Sequence, residues 1–204
     1  MGKMTGTPLA ASTTQADLDR WFDERLEQKL QERSDNHIPS LAIIATKGTL
    51  DMAYPPFILA STAGALGWDV SVFFTFYGLE LLKRDLKPGL SPLGNPAMPM
   101  KMPVGPKWFQ AIRWNMPNAL QANLPGYEAF ATAMMHKTLD NKGVASIEEL
   151  REATLESDVR LVACQMTVDL FGYEHADFIP EIDDWIGAAS YLPISAAADV
   201  SLFV

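Results

Sequence analysis

Residues 159–172, Val-Arg-Leu-Val-Ala-Cys-Gln-Met-Thr-Val-Asp-Leu-Phe-Gly, change hydrophobic period half-way along. Leu161, Val162 and Ala163 form a short apolar run suited to a strand buried on both faces. After Cys164, the residues Met166, Leu170 and Phe171 recur at roughly helical spacing, and Gly172 is a natural C-terminal stop. The only cysteine of the chain therefore stands at a strand-to-helix turn. In an open parallel sheet, ligands and chemistry collect beyond the carboxyl ends of the strands. A thiol at that place, facing the first free N–H groups of a helix, is biased toward thiolate and within reach of a substrate. The competing reading is a small buried hydrophobe, the common state of a lone cysteine between Ala163 and Met166. Asp169 would oppose the thiolate if its charge approached the sulfur.

The preceding chain has the same alternation. Residues 38–46 read as a first buried strand, ending in the turn Lys47-Gly48-Thr49-Leu50-Asp51, where Thr49 and Asp51 are placed to line the same rim as Cys164. Residues 52–66 read as a helix, with Pro55 and Pro56 tolerated in its first turn. A second strand spans 70–75 and a second helix 76–84. Residues 127–140 and 146–157 read as two further helices, the latter opened by Ser146 and Glu149 at capping-box spacing. Residues 173–179 suggest a short helical turn, 184–197 are mixed and interrupted by Pro193, and 200–204 form a last strand. Repeated βα units with apolar strands predict a three-layer α/β domain around a mainly parallel sheet.

Two segments stand apart. Residues 1–36 read as a flexible lead-in followed by an amphipathic helix over 17–33, with Leu18, Trp21, Phe22, Leu26 and Leu30 on one stripe and Thr14 and Asp17 as its cap. That helical arm serves either to pack on its own domain or to meet a partner. The domain proper spans 37–204. Within it, residues 85–126 form an insertion broken by eight prolines; a loop this long in a compact domain is usually functional or disordered, and the alternative is an insertion that only covers the domain. Met98, Met100, Met102 and Met116 alternate there with Lys101, Lys107 and Arg113, a composition suited to an adaptable contact surface or a lid over residues 101–113. A short helix is expected over 107–115.

The formal charge of −9 argues against a nucleic-acid partner. One cysteine cannot close an intrachain disulfide, and no Cys/His cluster has zinc spacing. Together with a polar N-terminus lacking an apolar signal core, this points to the cytoplasm. Residues 52–82 are apolar but broken by prolines, glycines and a change of period, so they read as a buried βαβ unit rather than a membrane span. His37, His136 and His175 fall on separate elements, and no nucleotide or metal motif is present.

From residue 41 to the end, the chain resembles the longer, "peroxiredoxin-like" branch of the DsrE/DsrF-like family. The resemblance rests on Ala42-Ile43-Ile44 with Gly48-Thr49-Leu50-Asp51, on residues 72–79, on the Met/Pro-rich stretch near 98–106, and on the closing residues 198–204. It is most specific at Ala163-Cys164-Gln165-Met166-Thr167-Val168-Asp169. The resemblance implies a flavodoxin-like α/β/α domain that forms homo-oligomers. It implies a sulfurtransferase in which Cys164 accepts sulfane sulfur as a persulfide and passes it on, without a cofactor or metal. The partners it implies are TusA-like or rhodanese-like carriers and a heterodisulfide-reductase-like complex. Thr167 and Asp169 come with the motif without assigned roles. No second cysteine is present to act as a resolving thiol, so peroxiredoxin chemistry is not implied. The alternative is a non-catalytic assembly or regulatory subunit in which Cys164 is buried.

Overall fold

The computed structural model describes residues 14–35, 37–91, 100–101, 105–111, 113–114, 123 and 125–204. The described residues fall into two compact units, divided after residue 38. In the first, α1 runs Gln15–Asp35. Its start is the reciprocal cap expected of Thr14 and Asp17. The Asp17 N–H donates to Thr14 Oγ1 at 3.3 Å, and the Thr14 N–H donates to Asp17 Oδ2 at 3.2 Å.

The second unit is built on a five-stranded sheet, ordered β6-β5-β2-β1-β7, with every neighbouring pair parallel. Its strands are β1 (Ser40–Ala45), β2 (Asp69–Phe74), β5 (Arg160–Cys164), β6 (Asp184–Ile186) and β7 (Val200–Phe203). The strands β3 (Met100–Lys101) and β4 (Arg113–Trp114) form a small antiparallel pair within the insertion, around the four-residue helix α3 (Lys107–Gln110). The other helices are α2 (Leu50–Ala65), α4 (Tyr127–Lys142), α5 (Ile147–Glu156), α6 (Gln165–Phe171) and α7 (Ala188–Ala197). This is the expected α/β architecture with helices flanking a parallel sheet, in a flavodoxin-like arrangement. Of the residues 101–113 expected as a lid, 102–104 and 112 lie outside the described residues, as do Met98 and Met116 of the Met/Pro segment.

The strand order explains how the helices are distributed. From β1 to β2, β5 and β6 the chain steps in one direction across the sheet, and right-handed crossovers then put every connecting helix on one face. Ala53, Phe57 and Ala60 of α2, Ile147 of α5 and Val168 of α6 accordingly share one core with Leu41, Ile43, Val72, Phe74, Leu161 and Ala163. Phe57 and Phe74 meet there with ring centroids 5.9 Å apart, each fully buried and contributing about 2 kcal/mol by burial. From β6 to β7 the chain travels back past three strands, so α7 must cross on the opposite face. It is the source of Tyr191 and Ile194, which pack there on Ala42, Phe73, Val162 and Cys164.

Three elements differ from the sequence expectation, and the first is the helix expected over 107–115, which is only Lys107–Gln110 and gives way to β4 at Arg113–Trp114. The segment after β2 is a 3-10 helix, Phe76–Leu82, rather than an α-helix. Gly78 presses onto the end of β1, where a Cβ would stand 2.3 Å from the Ala45 carbonyl oxygen, and Phe76 enters with φ 49°, in the left-handed region. Residues 184–197, read as mixed, resolve into β6 and α7, and Pro193 sits inside α7. There it removes one N–H from the helical ladder without ending the helix.

Candidate functional site

β5 lies between β2 and β6, with Leu161, Val162 and Ala163 fully buried. The strand, the turn and the glycine stop stand where the sequence put them, but Met166, Leu170 and Phe171, the apolar spacing of the helix, are exposed while Thr167 and Val168 are buried. Cys164 closes the strand and is the N-cap residue of α6, and Gly172 ends that helix at φ 66° in the left-handed conformation that a glycine adopts without a steric cost. Cys164 is in register with Ile186 of β6. On the β2 side the last pair is Phe74 with Ala163, and Thr75 is the first residue beyond β2.

The expected access to the thiol is not found in this conformation. Cys164 is 1% exposed. Alternation along β5 turns its side chain to the face covered by α7, among Ala42, Phe73, Val162 and Tyr191. Its side chain makes no capping bond to the α6 backbone. Tyr191 is the polar anchor of this layer. Its ring stacks on Phe73 with centroids 4.6 Å apart, and its hydroxyl lies 3.0 Å from Ser71 Oγ and donates toward the Ser71 carbonyl at 3.2 Å. Burial pushes the Tyr191 phenol above its ordinary range.

Around the cysteine, α6 ties three elements together. Thr167 is fully buried; its Oγ1 lies 3.3 Å from Thr75 Oγ1 and accepts the Phe76 N–H at 3.3 Å. Gln165 Nε2 donates to Asp169 Oδ1 at 2.8 Å, so Asp169 faces outward along α6 instead of approaching the sulfur. Gln165 Oε1 is 2.9 Å from His175 Nε2. The His175 ring stacks on Trp185 with centroids 3.9 Å apart at 11°. Of the three histidines, His175 is therefore the one brought beside the β5–α6 turn, while His37 precedes β1 and His136 lies on α4. No spacing announces that pairing, because Gln165 opens α6 and His175 returns to it only after that helix has ended at Gly172. Thr49 is the N-cap residue of α2, without a side-chain capping bond, and Asp51 lies exposed in the first turn of that helix.

Below the rim, Glu80, Lys83 and Tyr173 lock the post-β2 segment to the segment after α6. Tyr173 Oη donates to Glu80 Oε1 at 2.5 Å, Lys83 Nζ pairs with the same oxygen at 2.9 Å, and that ammonium sits 4.0 Å over the Tyr173 ring. The bond to Glu80, more than burial, holds the Tyr173 phenol above its usual range. Among the described residues, no group of three His, Cys, Asp or Glu side chains is placed to hold a metal ion. Among them too, no helix is long and apolar enough to cross a membrane.

A family model described as "DsrE/DsrF/DrsH-like family" matches residues 37–203, nearly the whole second unit and its Cys164 turn. The chain belongs to the DsrE/DsrF/DrsH-like family. Within it, the chain is 52% identical over 164 residues to the "Sulfur carrier protein DsrE2" of Allochromatium vinosum, covering 80% of this chain and 97% of that protein. It is 26% identical over 162 residues to the Bacillus subtilis protein YrkE, covering 79% of this chain and 94% of that one. The family match begins at residue 37, so α1 lies outside the part of the chain that this DsrE-like membership covers.

Proposed function

We propose that this protein is a sulfur carrier that holds sulfane sulfur as a persulfide on Cys164 and hands it to partner proteins. The observation that carries the reading is the 52% identity, over almost all of its length, to a protein named as a sulfur carrier. The position of the chain's single cysteine, at the carboxyl end of a central parallel strand, supports it.

The chemistry needs one thiol. Once Cys164 has given its proton to solvent, its sulfur attacks the outer sulfur of a donor persulfide, R–S–SH. A new Cys164–S–SH bond forms, the donor S–S bond breaks, and R–S⁻ leaves. Passing the sulfur on is the same exchange with the acceptor's thiolate as nucleophile, so no net oxidation occurs and no resolving cysteine is required. TusA-like and rhodanese-like proteins, and a heterodisulfide-reductase-like complex, are donors and acceptors of suitable chemistry. A reducing cytoplasm would keep the unloaded thiol available, and assembly into a homo-oligomer fits the same reading.

Transfer tests this directly. The protein is loaded with polysulfide, freed of excess, and mixed with a TusA-like carrier, and sulfur is followed by the masses of both proteins. The expected result is loss of sulfur from this chain and gain by the carrier. Sulfur that stays on the first protein contradicts the reading. The burial of Cys164 favours a second one, an assembly or regulatory subunit with an inert core cysteine. In that case the folded protein takes up no sulfur, and its thiol reacts only on unfolding.

A further inference from the structure

A sulfur that must pass between proteins is held at a residue only 1% exposed, so the exchange needs another conformation. We propose that Thr167 is a positioning residue, a latch joining α6 to the end of β2, and that Cys164 exchanges sulfur when this latch is released. The inference rests on the sulfur-carrier reading of Cys164.

The two elements that hold Cys164 are anchored unequally. On the far face, α7 is fixed by Tyr191, whose hydroxyl meets Ser71 and whose ring stacks on Phe73, and by Ser195, 2.6 Å from Ser201 Oγ. By contrast α6, covalently attached to Cys164, buries only Thr167 and Val168, and leaves Met166 and Leu170 exposed. It ends at Gly172, in the left-handed conformation. Thr167 and Val168 are smaller than the buried Tyr191 ring, so loosening α6 uncovers less than lifting α7, and it draws the Cys164 backbone outward.

The partner of the latch is under strain. Phe76 has φ 49°, a conformation that is unfavourable for an L-residue with a large side chain. Its N–H donates to Thr167 Oγ1 and Thr75 Oγ1 lies beside the same hydroxyl. The other side of the turn cannot yield, because Gly78 is packed against the Ala45 carbonyl and the Thr75 N–H donates to that same oxygen at 3.0 Å. Strain at Phe76 is thus relieved by parting from Thr167, on the side where α6 moves.

The test is the rate at which the folded, full-length protein is alkylated at Cys164 by iodoacetamide, with urea unfolding measured in parallel. Thr167→Val, which keeps the shape and removes the hydroxyl, should react about tenfold faster than wild type, a lost hydrogen bond being worth roughly that factor. Thr167→Ser should stay near wild type. Phe76→Ala and Phe76→Gly lose the same ring, but glycine alone is unstrained at positive φ. Phe76→Gly should therefore react about fivefold more slowly than Phe76→Ala, a difference that survives even if the Thr167 variants fold poorly. Equal rates for the Phe76 pair, or acceleration in Thr167→Val that merely tracks global unfolding, overturn the latch. Polysulfide loading separates the two readings. Sulfur on Cys164 with alkylation unmoved removes the latch alone, whereas no sulfur in any variant with alkylation shifted as described removes the carrier reading and keeps the latch.

Discussion

Gly78 and Ala45 are in backbone contact: a Cβ on Gly78 would lie 2.3 Å from the Ala45 carbonyl oxygen and 2.9 Å from its carbon. The obstacle is main chain at the end of a central strand and cannot rotate away. Gly78→Ala should cost about 3 kcal/mol through overpacking, seen as a lower urea midpoint with an unchanged slope. An unchanged midpoint would mean that the 3-10 turn is free to shift, and with it the fixed side of the Phe76 turn.

Tyr191 links stability to pH. Burial raises its phenol above the ordinary value of 10.0, so the folded state holds this proton more tightly than the unfolded one. That contribution is complete below the unfolded value and is lost as pH rises through 10.0 toward the folded value. Urea midpoints should fall over that alkaline range in wild type and fall less in Tyr191→Phe. At neutral pH the substitution should itself cost about 1–2 kcal/mol, because it leaves Ser71 Oγ unpaired in the layer that holds Cys164.

At the entry of α5, Ser146 Oγ accepts the Glu149 N–H at 3.1 Å and the Ser146 N–H donates to Glu149 Oε2 at 2.7 Å. Ser146→Ala should lower stability by about 1 kcal/mol without changing Cys164 alkylation, since both bonds of the cap stay within the first turn of α5 and reach neither Thr167 nor Tyr191. A change in the alkylation rate would show that the entry of α5 is coupled to α6.

The features legible in the sequence were those with a local cause. The switch of period at Cys164, the Ser146/Glu149 box and the Gly172 stop each depend on residues within one turn of one another, and each stands where the pattern put it. The burial of Cys164 depends instead on a helix that crosses from β6 back to β7, and that crossing was hidden. β6 has three residues, Asp184–Ile186, too few to display alternation, and Pro193 masks α7 as a break. Likewise the 3-10 form of 76–82 goes with Gly78 meeting Ala45 at the end of β1, a long-range contact that no spacing announces. The role of Thr167 was hidden for the same reason, since its partners are Thr75 and Phe76.

The central claim is that sulfur is carried on Cys164. The most direct measurement is the intact mass of the folded protein after polysulfide and then after a reductant, with Cys164→Ser alongside. The account predicts a gain of one or more sulfur atoms in the wild type, reversed by the reductant and absent in the variant. An unmodified wild-type mass, or the same gain in Cys164→Ser, would contradict it.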